Sequence, residues 1–140
     1  MSKLTGKKVK MTQIFQDEAV VPVSVIAMDE KEDLSELKPG VFVSVRGITK
    51  GKGFQGVVKR HGFSGGPKSH GQKDRLRAPG SIGNTALQRV RLGRKMAGRM
   101  GGVQVTVKGL KLVEIDNEKK QLSIRGAVPG HNGSKVEIII

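Results

Sequence analysis

Lysines, arginines and glycines are interleaved through the middle of the chain in a pattern suited to binding phosphate groups. Residues 46–111 contain 16 Lys or Arg and a single acid, Asp74, so this stretch carries a formal charge of +15, whereas the whole chain of 140 residues carries +14. The stretch also contains 15 of the 20 glycines and too few apolar residues to bury a core of its own. Because so many like charges would repel one another in an unbound coil, we expect a polyanion to order it.

The cations follow no helical period, which is typical of a ribbon threaded through folded RNA and not of a basic patch on a helix. His61 and His70 lie among them and could stack on or hydrogen-bond to nucleic acid, and the alternative that they are solvent-exposed loop residues stays open. We predict phosphate contacts for thirteen side chains: Lys50, Lys52, Lys59, Arg60, Lys68, Lys73, Arg75, Arg77, Arg89, Arg91, Arg94, Lys95 and Arg99.

Residues 51–56 also match the G-x-G-x-x-G pattern of dinucleotide-binding loops. Such a loop needs a preceding strand, a helix that begins at its last glycine and an acid about 20 residues further on. A strand is predicted before it and Asp74 lies 18 residues beyond Gly56, but we expect no room for a helix before Gly62 and Pro67. We therefore interpret the glycines of this region as positions where backbone N–H groups approach phosphate closely: Gly51, Gly53, Gly56, Gly80, Gly83, Gly98, Gly101 and Gly102.

The other reactive side chains form no catalytic or metal-binding pattern. The chain has three histidines and no cysteine, and no carboxylate pair lies near the histidines in sequence. Three loop serines lack a recognisable base and orienting acid: Ser64, Ser69 and Ser81. We therefore predict no enzymatic activity, no metal, no cofactor and no small-molecule substrate.

The composition narrows the class of protein further. A chain of 140 residues allows one modest domain, and a pI of about 10.5 indicates nucleic acid or an anionic membrane surface as partner. No apolar run approaches the ~20 residues of a membrane-spanning helix, and we expect no cleavable targeting segment. The absence of cysteine fits a reducing cytoplasm. Four phenylalanines without Tyr or Trp argue against a module that recognises bases mainly by aromatic stacking.

Extended segments are predicted before the basic stretch. Residues 7–15 place Val9 and Met11 on one side of an extended segment, and residues 19–28 are β-branched and apolar. Pro22 indicates an edge or a strand start, since it cannot donate to a sheet ladder. Residues 29–38 are predicted to form a solvated acidic connection that could include one helical turn. A strand follows in which three valines alternate with Phe42, Ser44 and Arg46: Val41, Val43 and Val45.

Strand signals resume after the basic stretch. Val103, Val105 and Val107 alternate with polar residues, residues 116–120 resemble a hairpin connection, and a last strand follows a turn at residues 130–133. Between the two sets of strands, residues 84–92 could form a short helix capped by Asn84 or Thr85.

This arrangement predicts a mainly β fold. Residues 1–48 and 103–140 would form a small β-barrel or sandwich, and residues 49–102, here called the basic segment, would form a long glycine-rich arm of largely irregular structure. A loop of this length is abnormal in a compact domain unless it has a function.

Several short motifs resemble the bacterial form of the universal large-subunit ribosomal proteins of the L-three family. They keep the family's order and approximate spacing from Leu4 to Gly130: LTGKKVKMTQIF, TKGKGFQGVVKRHGF, SHG, RAPGSIG, KMAGRMG and RGAVPG. The resemblance implies a β-barrel of the translation-protein type, and it makes the basic segment an arm that runs through rRNA towards the peptidyl-transferase centre. It also implies an early role in assembly of the large subunit, neighbouring large-subunit proteins as partners, a cytoplasmic location in the ribosome and no enzymatic activity.

The chain departs from the family pattern in two places. Between VPVSVIAM and TKGKGF it has only a short connection where relatives carry a long additional segment, so we interpret it as a shortened form. Between GSIG and KMAG it reads NTALQRVRLGR, without the family's Thr-Pro-Gly turn and aromatic residue.

Two rival functions remain open from the residues alone. The chain could be a free nucleic-acid chaperone or DNA-binding protein that never joins a ribosome, which sedimentation with large subunits would test. It could also be a nucleotide-dependent RNA-modifying protein that uses residues 51–56, which a nucleotide-binding assay would test.

Overall fold

The computed structural model describes residues 3–16, 18–29, 34 and 37–140, which are mainly β, as predicted. The chain divides into two compact units: one comprises residues 1–50 and 102–140, and the other comprises residues 51–101. The strands are β1 (Lys3–Gln16), β2 (Ala19–Met28), β3 (Phe42–Ile48), β4 (Phe54–Gln55), β5 (Gly98–Arg99), β6 (Gln104–Asp116), β7 (Gln121–Arg125) and β8 (Lys135–Ile139). The helices are α1 (Val57–His61) and a 3₁₀ turn (Thr85–Leu87).

The six longer strands belong to the first unit and pair only with antiparallel neighbours. The order β1–β2–β7–β6–β3–β8 returns to β1, so the pairings form a closed cycle. Because the cycle is closed, each of the six strands pairs with a neighbour on both sides over part of its length, and none is an edge strand throughout.

The interior of the first unit is filled by aliphatic side chains that alternate along the strands. On β3, Val43 and Val45 are buried while Phe42 is exposed, so the predicted alternation is correct for these residues. It is wrong for Val41, which precedes β3 and is exposed. Ile124 of β7 and Ile138 of β8 are also fully buried. Such β-branched residues suit a pleated, packed surface, and they join with leucines of β1, β6 and β7 in one core: Leu4, Leu112 and Leu122.

The strands β1 and β6 differ from the sequence expectation in which residues they bury. Val9 and Met11 are exposed, and the register of β1 against β2 shifts between Lys8 and Lys10. A bulge of this kind interrupts the two-residue alternation, and the buried residue beside it is Lys8, which the sequence did not single out. At the start of β6, Val105 is exposed although its spacing resembled a core strand.

Lys8 is held by two backbone carbonyls. Its Nζ donates to the oxygens of Val128 at 3.1 Å and Gly130 at 3.2 Å. Burial, and secondarily the positive charge of Lys50, lowers the pKa of Lys8 below its ordinary value. A buried ammonium group is tolerated where such hydrogen bonds replace water.

The acidic connection of residues 29–38 lies largely outside the described residues. Two of its leucines are described, and both Leu34 and Leu37 are buried in the core, with the Leu37 N–H donating to the Leu34 oxygen at 3.0 Å. The prediction that this connection is solvated is therefore wrong at these two positions.

The predicted hairpin between β6 and β7 is confirmed. Lys119 N–H donates to Asp116 Oδ1 at 3.0 Å, and this bond, foremost, lowers the pKa of Asp116. Pro22 pairs with Gln13 of β1 and lies one residue before the β2–β7 ladder, which begins at Val23. This position at the start of a ladder agrees with the predicted edge or strand start.

Gly6 is required where β1 passes β2. A Cβ at this position would lie 2.6 Å from the backbone oxygen of Ala27 and 2.9 Å from Cγ2 of Ile26. Neither neighbour is a flexible chain end, so a side chain here would force the two strands apart.

We expect Gly6→Ala to lower the free energy of unfolding by about 1–3 kcal/mol, the usual cost of overpacking a core. Urea unfolding followed by circular dichroism measures this change. Gly51→Ala is the control, since a Cβ at Gly51 meets no atom within 4 Å. Equal unfolding midpoints for the two variants would contradict the assignment.

Candidate nucleic-acid interface

The second unit brings its two ends together through a short ladder. Phe54 pairs with Arg99 in the β4–β5 sheet, and Gln55 pairs with Gly98. Lys52 N–H donates to the Met100 oxygen at 2.9 Å, and Met100 N–H donates to the Gly53 oxygen at 2.9 Å.

A short helix follows the glycine motif, so the prediction that no helix fits before Gly62 is wrong. Helix α1 (Val57–His61) begins after Gly56 and ends at Gly62, whose φ of 73° is in the left-handed region that favours glycine. The motif still does not match a dinucleotide-binding loop, because residues 54 and 55 form strand β4 inside it. A dinucleotide-binding loop has a tight turn at that place, between a strand and a helix.

Arg60 and His61 both bind the same backbone oxygen. The Nη1 atom of Arg60 donates to the Met96 oxygen at 2.7 Å, and Nε2 of His61 lies 3.0 Å from that oxygen. A Cβ at Gly98 would lie 2.8 Å from the Arg60 Nη1, so the group that closely approaches Gly98 is this guanidinium. These contacts connect α1 to the segment before β5.

Residues 63–81 form a loop closed on itself around an open cleft. Gly66 N–H donates to the Leu76 oxygen at 3.0 Å, and a Cβ at Gly65 would collide with that same oxygen. The cleft has a volume of about 640 Å³, and Arg75 is the one cation in its lining. Phe63, two prolines, three glycines and an alanine also line it, together with the polar residues Ser64, Gln72 and Ser81.

The three arginines of residues 89–94 lie around one smaller cleft. It has a volume of about 240 Å³ and is lined by residues that include Arg89, Arg91 and Arg94. Arg94 also donates a guanidinium hydrogen bond to the Ser81 oxygen. The predicted helix over residues 84–92 is wrong in length: only the 3₁₀ turn Thr85–Leu87 forms, and Asn84 precedes it without a side-chain cap.

The predicted phosphate-binding side chains are open to solvent. Of the fifteen predicted RNA-contacting residues, only Arg60 and His61 are half-buried, and the others are exposed. Among the residues that the structure describes, the ion pairs are Arg46–Glu137 and Lys119–Asp116, and neither involves a residue of the basic segment. These cations are therefore available to a polyanion.

The glycines predicted to allow close approach differ in their surroundings and in their backbone conformation. Added Cβ atoms at four of them would meet no atom within 4 Å: Gly51, Gly53, Gly56 and Gly80. An added Cβ at Gly83 would have the Arg89 oxygen as its one neighbour within 4 Å, at 3.8 Å. An added Cβ at Gly98 would meet the Arg60 guanidinium, as described above. Four of the eight have a positive φ, so their backbone conformation itself favours glycine: Gly53 at 67°, Gly80 at 78°, Gly101 at 75° and Gly102 at 66°.

Exposed apolar side chains accompany the cations in the basic segment. Leu92 is 99% exposed and Phe54 is 77% exposed, and Leu76, Ile82 and Val90 are also exposed. Single exposed apolar residues are ordinary, but several within one basic segment indicate a surface that a partner covers. In the sequence, the irregular spacing of these apolar residues was the signal that could have indicated their exposure.

Among residues 3–16, 18–29, 34 and 37–140, no group of three or more His, Asp or Glu side chains is placed to hold a metal ion. Within the same ranges, no helix has the length and hydrophobicity to cross a membrane.

The chain combines a mainly β fold with a basic segment whose cations are mostly exposed and form no ion pair with described residues. These properties are typical of the class of proteins that bind a polyanion. A family model described as ribosomal protein L3 matches residues 6–135. The chain therefore belongs to the ribosomal protein L3 family, which confirms the resemblance found in its motifs.

Curated relatives support the same family. The protein named large ribosomal subunit protein uL3 of Chlorobium phaeobacteroides is 52% identical over 108 residues, 76% of this chain and 52% of the relative. Its namesake in Chloroherpeton thalassium is 50% identical over 128 residues, 91% of this chain and 58% of the relative. That of Legionella pneumophila is 45% identical over 127 residues, 90% of this chain and 56% of the relative. The chain thus spans between half and three fifths of the length of these relatives.

We expect Arg60→Ala to speed tryptic cleavage after Lys95 and Arg99 by about fivefold, since a net hydrogen bond contributes roughly 1 kcal/mol. Mass spectrometry of timed digests of the free protein measures the rate. Arg91→Ala is the control, because it removes an exposed arginine without a contact to Met96. Unchanged cleavage in Arg60→Ala would show that the Met96 contacts do not restrain this segment.

Proposed function

We propose that the chain is a structural constituent of the large ribosomal subunit in the bacterial cytoplasm, where its basic segment binds large-subunit rRNA. The observation that carries this proposal is the exposure of thirteen predicted contact residues in a segment without a described ion pair. Membership of the ribosomal protein L3 family and the names of the relatives support the same assignment.

The two kinds of cation in this segment suit different contacts. The lysines, among them Lys52 and Lys59, provide compact charges that neutralise phosphates without fixed geometry. The arginines provide a planar fork that binds phosphate through two hydrogen bonds and can stack on a base. Arg60 and Arg94 use some donors on protein oxygens, and each guanidinium has five N–H groups, so capacity for RNA remains.

In the finer form of the proposal, residues 1–48 and 103–140 form a barrel of the translation-protein type. Residues 49–102 form an arm that extends through rRNA towards the peptidyl-transferase centre. The protein would join the subunit early in assembly and contact neighbouring large-subunit proteins. Support for this form comes from the closed cycle of strand pairings and from family membership. It needs no catalytic residue, metal or cofactor.

Sedimentation tests the central proposal. The tagged chain, expressed in bacteria, is expected to sediment with large subunits in sucrose gradients and to remain bound after a wash at moderate salt. A chain found only in the ribosome-free fractions, with or without bound DNA, would overturn the proposal.

Salt dependence is expected to reveal the phosphate contacts. If about six to ten phosphates are neutralised, the logarithm of the affinity for an rRNA transcript falls with the logarithm of salt by roughly 0.9 per duplex contact and about 0.7 per single-stranded contact. Lys52→Gln should reduce this slope by about one unit or less. Lys135→Gln removes an exposed charge outside the segment and serves as control. Filter binding across a salt series measures both, and a slope near zero would refute the contacts.

The clustered arginines of residues 89–94 are expected to act on ribosome function and not on folding. An Arg89→Ala, Arg91→Ala double variant should enter large subunits yet slow peptide-bond formation or change sensitivity to inhibitors of the reaction centre. The reason is that an arginine lost inside rRNA leaves a phosphate or base unpaired. Single-turnover peptide-bond assays on purified variant ribosomes measure the rate.

A Lys3→Ala, Lys7→Ala double variant is the matched control, since it removes two exposed cations from β1. Normal rate and inhibitor response in the Arg89→Ala, Arg91→Ala ribosomes would make this segment a structural filler. Failure to enter subunits would make it an assembly anchor.

A further inference from the structure

A third cleft lies on the first unit, and no residue of the basic segment is in its lining. It has a volume of about 520 Å³, which is within the range of ligand-binding clefts. Six residues of β3, β6, β7 and the turn after β7 line it: Phe42, Gly109, Leu110, Lys111, Arg125 and Gly126. Two of the six are cations, one is aromatic and none is acidic.

The aromatic wall of this cleft is fixed by strand pairing. Phe42 lies directly opposite Lys111 in the β3–β6 register, so their side chains share one face of the sheet. On the Val41 side of this pair the backbone is tied, with Gly40 N–H donating to the Leu112 oxygen at 2.7 Å and Leu112 N–H donating to the Val41 oxygen at 2.9 Å. Phe42 is 68% exposed, although its neighbour Val43 is buried.

The opposite wall is equally fixed. The buried hydroxyl of Ser24 donates to the Gly126 oxygen at 2.6 Å, and Gly126 N–H donates to the Pro22 oxygen at 2.9 Å. An added Cβ at Gly126 would have Leu110 Cδ2 as its nearest atom, at 4.0 Å. An exposed aromatic ring and the exposed Arg125 are thus held beside open space.

We propose that this cleft binds one unpaired nucleotide of RNA, with the base stacked on Phe42 and the adjacent phosphates bound by Lys111 and Arg125. A base has a flat apolar face beside an anionic backbone, and the cleft presents an aromatic ring beside two cations that form no ion pair with the residues that the structure describes. Stacking on this single ring is compatible with a chain poor in aromatics, since most of the RNA contacts lie elsewhere. The proposal rests on the proposed function for the identity of the polymer but uses none of its predicted contact residues.

The natural absence of tryptophan allows a direct test. Phe42→Trp keeps a stacking surface and introduces the only indole, whose fluorescence a stacked base quenches. Short single-stranded oligoadenylate and oligouridylate are titrated into the full-length variant, with inorganic polyphosphate as an anion without bases. Phe15→Trp is the matched control, because Phe15 is 70% exposed on β1 and does not line the cleft.

We expect saturable quenching by the oligonucleotides in Phe42→Trp, none by polyphosphate, and none by either in Phe15→Trp. Adding Lys111→Gln and Arg125→Gln to the Phe42→Trp chain should weaken the apparent affinity of quenching by about tenfold, since two charge-assisted contacts are lost. Absent quenching, equal quenching in both tryptophan variants, or quenching that ignores the two cations would each overturn the proposal. A fluorescence change caused only by large-subunit proteins would assign the cleft to a protein partner and would also overturn it.

The same variants separate this proposal from the proposed function. Filter binding of an rRNA transcript to the Lys111→Gln, Arg125→Gln chain reports on the basic segment. If the rRNA transcript still binds but oligonucleotides do not quench the fluorescence of Phe42→Trp, the cleft proposal alone is wrong. Quenching without rRNA binding or subunit association removes the proposed function and leaves a nucleotide-binding cleft.

Discussion

The backbone pairing of Thr49 with Val103 holds together two positions 54 residues apart in the chain. Thr49 N–H donates to the Val103 oxygen at 2.9 Å, and Gly102 N–H donates to the Thr49 oxygen at 3.1 Å. These bonds follow the last β3–β6 pair, Ile48 with Gln104. Since the entropy of closing a loop grows only slowly with its length, a core drawn from both sides of the basic segment can tolerate so long an insertion.

The first unit must also accommodate a positive charge at a buried position of β1. Lys8 replaces the apolar residue expected at a buried strand position, and its ammonium group binds the oxygens of Val128 and Gly130. A charge buried in this way is costly unless hydrogen bonds compensate. Because these two bonds link β1 to residues 120 and 122 positions away, Lys8 restrains the turn before β8 more specifically than a leucine could.

Local patterns in the sequence predicted the β class, the alternation of Val43 and Val45 and the hairpin after Asp116, because these depend on neighbouring residues. The exposure of Val9 depends on a bulge, and the burial of Leu34 and Leu37 depends on packing against distant strands, so neither could be predicted from periodicity. Helix α1 was missed because only one turn forms between two glycines. For the candidate interface, charge and glycine content identified the segment, but the contacts of Arg60 and His61 with Met96 required coordinates.

The basic segment lacks the means to be stable through its own interior. Val57 is its one buried apolar side chain among the described residues, while Leu92 and Phe54 are largely exposed. Its internal order comes from a few backbone bonds and from guanidinium contacts to carbonyl oxygens, each of modest net strength. A rigid polyanion with flat apolar bases would reduce both the repulsion among the cations and the exposure of the apolar groups to water. RNA has both properties, so its binding would offset the two energetic costs of the segment together.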